Sequence, residues 1–148
     1  ENILISLSPQ FTEALAQGSK TVELRRRHVR ISPGGKVWIY SKSPHAMVEA
    51  VGIVKRTVFA NPSHIWRLYG PHSGLTRDEF DDYFAGIDNG CAIEFLNVHL
   101  LPRPAKLSML RQHFGTFHPP QFFKYLRPGS RELNYFERIG AASLKAAA

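Results

Sequence analysis

Residues 18–25, which read GSKTVELR, are the most informative stretch of this chain. The opening glycine is typical of a helix end, because glycine adopts a left-handed backbone without steric cost. In the extended chain that follows, Glu23 and Arg25 share one face, while Val22 and Leu24 take the other. The stretch therefore predicts a helix end followed by a strand with one charged and one apolar face. An edge strand whose charges merely prevent pairing with other chains explains the same pattern.

The net charge of the chain indicates which class of partner to consider first. The 148 residues include 19 Lys and Arg against 12 Asp and Glu, which gives a formal net charge of +7 and a pI near 9.9. Such a surface attracts polyanions, and neutralisation of phosphates supplies most non-specific affinity for nucleic acids. RNA or DNA is therefore the first partner class to consider.

Other partners and compartments are less favoured by the composition. No apolar run approaches the roughly 18 to 20 residues that span a bilayer, so we expect no membrane partner. One cysteine, Cys91, cannot form an internal disulfide, and a cytoplasmic location is the simplest expectation. The seven histidines show no convincing metal-ligand spacing, and we predict neither a metal nor a cofactor.

Hydrophobic alternation outlines five or six strands interrupted by short helices. We expect strands near residues 3–7, 20–27, 36–40, 47–59 and 91–98, and helices that start near residues 9, 62, 76 and 107. The strands at 20–27 and 36–40 are expected to be neighbours, and Gly52 marks a bulge or a close approach. This order fits a small mixed β-barrel of the α+β class with short peripheral helices. We expect a single domain over residues 1–140 and a frayed tail at 141–148.

Five motifs, in order, resemble those of the ASCH domain family in the PUA-like superfamily. They are the Gly-x-Lys-x-x-Glu-x-Arg pattern in residues 18–25, GKVWIYSK at 35–42, NPSHIW at 61–66, the helix at 80–86 that leads into CAIE at 91–94, and PPQFFKYL at 119–126. The resemblance extends over nearly the whole chain, from about residue 3 to residue 126. It implies a β-barrel with a cleft beside the first helix, in which RNA or a nucleotide-like ligand binds.

The resemblance and the residue chemistry together give a candidate nucleic-acid site. Its expected members are cationic, acidic or amphipathic side chains of the charged strand, the next strand and the late aromatic segment: Lys20, Glu23, Arg25, Arg27, Lys42, Gln121, Lys124 and Tyr125. A guanidinium can hold a phosphate through two hydrogen bonds, whereas a lysine is a less directional anchor. Arg26 alternates to the other strand face and should leave the site.

One member of the site and two aromatic residues next to it in sequence have alternative interpretations. The carboxylate of Glu23 either accepts hydrogen bonds from the amines of a base or holds Arg25 in position. The aromatic side chains Phe122 and Phe123 either stack on unpaired bases or close the core, the latter if residues 119 and 120 start a short helix.

Three other functions stay open. Some relatives hydrolyse N4-acylated cytidine-type nucleosides with a lysine, a threonine and a glutamate. Lys20 matches that lysine and would be the catalytic residue of an enzyme, but Glu23 stands where the threonine is found. A ribonuclease, also suggested for some relatives, requires an acid-base pair that the sequence does not identify. A protein-interaction module would expose apolar surface around Trp66 and Tyr69, although that helix also suits packing on the barrel.

Overall fold

The computed structural model describes the backbone of residues 1–147 and the side chains of residues 1–141. Six strands and five helices follow one another along the chain. In order they are β1 (Asn2–Leu7), α1 (Pro9–Gln17), β2 (Val22–Arg25), β3 (Lys36–Ser41), β4 (Met47–Ala60), α2 (Pro62–Tyr69), a 3₁₀ turn (Gly70–His72), α3 (Arg77–Tyr83), β5 (Gly90–Lys106), α4 (Leu107–Phe114), β6 (Phe123–Tyr125) and α5 (Arg131–Ala147). Among the described residues no helix is long and apolar enough to cross a membrane.

The strands form one curled sheet in the order β2-β5-β4-β3-β1-β6. β1 and β3 pair in parallel, and the other four pairings are antiparallel. This mixed half-barrel confirms the predicted α+β class and the number of strands. The two edge strands, β2 and β6, face each other across the opening of the half-barrel.

The long hairpin of β4 and β5 gives the sheet its curvature. The pairing register between the two strands shifts at several points, and such irregularities bend a strand and increase its twist. Gly52 lies within this hairpin under the ring of Phe95, and a Cβ at that position would stand 2.7 Å from the ring. The predicted close approach at Gly52 is therefore confirmed.

Apolar residues on both faces of the sheet build three cores. In β1, Ile3 and Ile5 face the inside of the half-barrel, whereas Leu4 packs on the opposite face with Trp38 and residues of α4 and α5. The third core lies beneath α2 and α3 and takes the apolar face of β2. Each core follows from the alternation of side chains along a strand.

Three elements differ from the interpretation of the sequence. β2 pairs with β5 and not with β3, because β3 is already enclosed by β1 and β4. No helix starts at residues 119 and 120; the chain continues to β6, which extends the open edge of β1. Helix α5 was not predicted, although its buried residues Leu133 and Phe136 have helical spacing. The tail prediction for 141–148 falls largely outside the described side chains and stays a prediction, as does the domain boundary at residue 140.

Candidate functional site

A cleft of about 570 Å³ lies between the start of α1, the charged face of β2 and α3. Its lining comes from four separate parts of the chain: Ser6, Leu7, Ser8, Phe11, Lys20, Glu23, Leu24, Arg25, Lys42, Leu75, Glu79, Asp82 and Tyr83. Four of the predicted site residues are among them, namely Lys20, Glu23, Arg25 and Lys42. The structure thus places the charged face of β2 in the wall of a cavity.

Lys20 is held at the base of the cleft and is 4% exposed. The left-handed Gly18 ends α1, and the Lys20 N–H then donates to the carbonyl of Ala14, which turns the lysine back over the helix. Its Nζ donates to the carbonyl oxygen of Ser73 at 2.8 Å and lies over the ring of Phe11 at 4.9 Å. Burial with these partners makes Lys20 a fixed positive charge rather than a mobile surface lysine.

Glu23 stands between two cations. Its Oε1 is 3.6 Å from Lys20 Nζ and accepts a hydrogen bond from the N–H of Leu24 at 3.0 Å. Its Oε2 is 3.7 Å from Arg25 Nη2, a separation that is too long for a hydrogen bond. Oε2 is also buried, without a hydrogen-bond partner among the described residues. Glu23 therefore compensates the charge of Arg25 without holding it by a hydrogen bond.

Arg25 is held by backbone carbonyls instead. Its Nη1 donates to the carbonyl of Phe122 at 3.1 Å, and its Nη2 donates to the carbonyl of Ser6 at 3.2 Å. Its Nε is buried, with no hydrogen-bond partner in the described part of the chain. The wall of the cleft thus contains one acceptor, on Glu23, and one donor, on Arg25, that still have hydrogen-bonding capacity.

The acidic side of the cleft belongs to α3. The Glu79 carboxylate accepts the N–H of Thr76 at 2.9 Å in the capping box of that helix, and this hydrogen bond lowers the pKa of Glu79. With Glu23 and Asp82 it balances the three cations that line the cleft, Lys20, Arg25 and Lys42. Tyr83 completes the wall; it donates its hydroxyl hydrogen to the carbonyl of Leu24 at 3.0 Å, and burial raises its pKa.

A second cavity of about 490 Å³ adjoins the cleft and shares Arg25 and Tyr83 with it. We call it the arginine groove; it is lined by Arg25, Arg26, Arg27, Tyr83, Ile87, Gln121, Phe122 and Phe123. Arg27 and Gln121, two further predicted site residues, lie here. Arg26 lies here as well, contrary to expectation, because β2 ends at Arg25 and the strand alternation stops there.

Lys124 and Tyr125 are not brought to the cleft or to the arginine groove. Both line another cavity, of about 410 Å³, near the start of α5. The Lys124 Nζ is paired with Glu132 at 2.7 Å, and the Tyr125 hydroxyl is hydrogen bonded to the backbone N–H and carbonyl of Arg30. Their separation from the other site residues follows from β6, whose pairing with β1 fixes their directions.

The sequence reasoning missed contributors that act through the backbone. The carbonyls of Ser6, Ser73 and Phe122 fix the two cations of the cleft, and no side-chain pattern indicates a carbonyl. Tyr83 was assigned to a packing face, but it is 36% exposed and lies in the wall of the cleft. No group of three or more His, Cys, Asp or Glu side chains within the described residues could hold a metal ion.

Comparison with known proteins gives several related sequences and structures. No protein-family model matches this chain. An ASCH domain-containing ribonuclease from Zymomonas mobilis is 33% identical over 124 residues, which are 84% of this chain and 83% of that protein. A crystal structure of ASCH from the same organism superimposes with a TM-score of 0.81 at 30% identity, covering 90% of this chain and 91% of that one. A large ribosomal subunit protein from Ureaplasma parvum is 26% identical over 86% of this chain, but over 40% of its own length.

Proposed function

Because the chain belongs to the ASCH domain family, we propose that its cleft and arginine groove bind RNA. The relative from Zymomonas mobilis is named a ribonuclease, which makes RNA the ligand to test first. The net charge of +7 is consistent with an anionic polymer as ligand. A cytoplasmic location stays a prediction.

One observation supports this proposal most directly. The Oε2 of Glu23 and the Nε of Arg25 are buried at the cleft wall without hydrogen-bond partners among the described residues. Buried polar groups are nearly always paired, and an unpaired one lowers the stability of the protein. An unpaired base offers donors and acceptors side by side on its edge, and phosphate oxygens accept from a guanidinium. A nucleotide in the cleft would give both atoms a partner.

Titration with labelled oligonucleotides tests the proposal. An eight-nucleotide single-stranded RNA and the matching DNA would be titrated against the purified protein at two salt concentrations. We expect salt-sensitive binding of RNA, since each neutralised phosphate releases a counterion. Arg25→Ala should weaken binding by about 10- to 150-fold, the effect of losing a charge-assisted contact.

The matched control is Arg103→Ala, which removes an exposed arginine of β5 that lines neither cavity. Equal losses in the two variants would assign binding to diffuse surface charge. No measurable affinity of the wild-type protein for RNA would reject the proposal.

Ribonuclease activity is a second candidate, favoured by the 3.6 Å separation of Lys20 Nζ and Glu23 Oε1. A carboxylate and an ammonium side by side can act as general base and general acid. In that reaction Glu23 takes the proton of a 2′-hydroxyl, whose oxygen attacks the phosphorus. The bond to the 5′-oxygen breaks, and that oxygen takes a proton from Lys20. The products are a 2′,3′-cyclic phosphate and a 5′-hydroxyl.

Product analysis separates this reaction from simple binding. We expect cleavage of RNA but not of DNA, which lacks the 2′-hydroxyl, and loss of cleavage in Lys20→Ala with residual binding. Including N4-acetylcytidine as a substrate covers the amidohydrolase alternative, in which a free nucleoside is converted instead. If the protein binds RNA and the RNA stays intact, ribonuclease activity is rejected and the binding function stands.

The protein-interaction alternative requires exposed apolar surface around Trp66 and Tyr69, and most of that surface is covered. Tyr69 is 4% exposed, and Trp66 packs with it against Phe80 in the third core. The interpretation of this helix as a packing element is therefore confirmed.

A further inference from the structure

The arginine groove differs from the cleft in charge although the two adjoin. Three carboxylates balance three cations in the lining of the cleft. The lining of the groove has Arg25, Arg26 and Arg27 and no carboxylate. A charge-balanced cavity suits the polar edge of a base, whereas a cluster of guanidinium groups with more positive than negative charge around it suits a phosphate.

The groove also contains a flat stacking surface. The guanidinium of Arg27 lies over the ring of Phe122, with its Cζ 4.3 Å from the ring centroid. Phe122 is 47% exposed, so the aromatic ring is at the surface rather than in a core. An unpaired base can stack on a guanidinium plane as well as on an aromatic ring, and a guanidinium already stacked on a ring loses little freedom when it does so.

The arginines of the groove are held in place before any ligand arrives. Arg26 Nη1 donates to the carbonyls of Tyr83 and Ala85, at 2.6 and 3.0 Å, at the end of α3. Arg25, which lines both cavities, is fixed by its two carbonyl acceptors. Donors whose positions are fixed by the protein bind with a smaller loss of conformational entropy.

We propose that the arginine groove is a second nucleotide subsite, continuous with the cleft, and that the ligand is a single strand of at least two nucleotides. One base enters the cleft, the phosphate that follows lies against Arg25 and Arg26, and the next base stacks on Arg27 over Phe122. The inference rests on the proposed binding of RNA in the cleft. It excludes a free nucleoside as the full ligand, and it excludes a duplex, because paired bases are not available to either cavity.

The test combines ligand length with two substitutions at one position. Adenosine monophosphate and oligoadenylates of two, four and eight nucleotides would be titrated against the wild-type protein, Arg27→Ala and Arg27→Lys, with Arg103→Ala as the control. For the wild type we expect the largest gain in affinity between one and two nucleotides. Arg27→Ala should weaken binding of two or more nucleotides by about 5- to 150-fold, which is the range for a lost stacking contact.

The lysine variant separates stacking from charge. Arg27→Lys keeps the positive charge but has no planar group, so we expect a loss of affinity with an unchanged dependence on salt. Phe122→Leu should weaken binding more than Phe122→Tyr does, because tyrosine keeps the ring. Arg27 and Phe122 are exposed, so these variants should fold, and thermal unfolding checks that they do.

The outcomes of this test distinguish failure of the second subsite from failure of RNA binding in the cleft. If the wild type binds the octamer but gains nothing between one and two nucleotides, and the groove variants bind as the wild type does, the second subsite is rejected while RNA binding in the cleft stands. If the wild type binds no RNA, both proposals are rejected. A loss in Arg27→Lys equal to that in Arg103→Ala would also contradict the stacking surface.

Discussion

Lys20 and Glu23 show how far single residues can be interpreted from sequence. The alternation of side chains correctly predicted that Glu23 and Arg25 share a face, and β2 is an edge strand, which was the alternative explanation of the same pattern. It did not predict that Lys20 and Glu23 are buried. The residues that cover them belong to α1 and to the turn at Ser73, and neither of these is part of the strand itself. Exposure depends on the packing of elements, which local alternation does not contain.

Substitution of the buried lysine should destabilise the protein. Lys20→Met leaves the Glu23 carboxylate buried without its nearest cation, and we expect the free energy of unfolding to fall by about 3 to 5 kcal/mol. Urea denaturation measures this change, with the exposed Lys106→Met as the control. The double variant Lys20→Met/Glu23→Gln should be more stable than the sum of the single effects predicts. Strict additivity would show that the two side chains do not interact.

Neighbouring arginines should differ in their effect on binding. Arg25 lines both cavities, whereas Arg26 lines the groove alone. We therefore expect Arg25→Ala to weaken RNA binding more than Arg26→Ala, by about tenfold, which corresponds to one additional charge-assisted hydrogen bond. Anisotropy titrations at matched salt, after circular dichroism has verified folding, measure both. A larger loss in Arg26→Ala than in Arg25→Ala would indicate that RNA binds outside the cleft.

His45 should make stability depend on pH. The hydrogen bond between its Nδ1 and Glu49 at 2.8 Å, together with the charges of Glu49 and Glu13, raises the pKa of His45. The raised pKa in the folded state means that this stabilisation is fully present below the unfolded pKa of about 6.5 and is lost as the pH rises through the folded value.

The comparison of wild type with His45→Gln checks this sign. The difference in free energy of unfolding should be largest near pH 5.5 and should shrink toward pH 8.5. His118→Gln, at an exposed histidine, should show no such trend. A difference that grows with pH would contradict the assigned interaction.

At the scale of elements, β6 and α5 mark the limits of local signals. The two prolines at 119 and 120 suit the start of a helix, but the open edge of β1 accepts Phe123, Lys124 and Tyr125 as a strand. Local propensity yields here to a pairing partner more than a hundred residues away. Helix α5 did carry a signal, since the Ser130 hydroxyl accepts the N–H of Leu133 as an N-cap.

Helix α5 should be essential to the stability of the domain. Phe136 is fully buried, and its ring centroid lies 5.7 Å from that of Trp38. Phe136→Ala should lower the free energy of unfolding by about 3 to 5 kcal/mol, the usual effect of truncating a buried aromatic side chain. Urea denaturation of this variant and of the exposed Arg138→Ala measures the difference. A change below that of the control would place α5 outside the cooperative unit.

At the scale of the whole molecule, the class and the succession of elements could be predicted, but the strand order could not. Alternation and turn residues are local, and they located five of the six strands. The pairing of β2 with β5 joins segments about seventy residues apart, and it depends on where the long hairpin of β4 and β5 bends. The cleft was predictable in composition but not in shape, since its lining comes from four separate parts of the chain.

The sheet order predicts a gradient of local stability. β3 and β4 are enclosed by strands on both sides, whereas β2 and β6 each have one neighbour. Amide hydrogen exchange should be slowest in β3 and β4, and faster by an order of magnitude or more at the two edges. Exchange measured by mass spectrometry with peptide resolution checks this order. Equal protection in β2 and β4 would indicate that the edge is covered in solution.

The hydrogen bonds of Arg25 and Tyr125 run between the two open edges of the sheet. Arg25, on β2, reaches the carbonyl of Phe122 beside β6, and Tyr125, on β6, reaches the backbone of Arg30 beyond β2. Two side chains thus connect the edge strands β2 and β6, which do not pair with each other. Because side chains make this connection, the distance between the two edges can change without breaking the hydrogen bonds of the sheet. Any ligand that competes for Arg25 would act on the closure of the barrel itself.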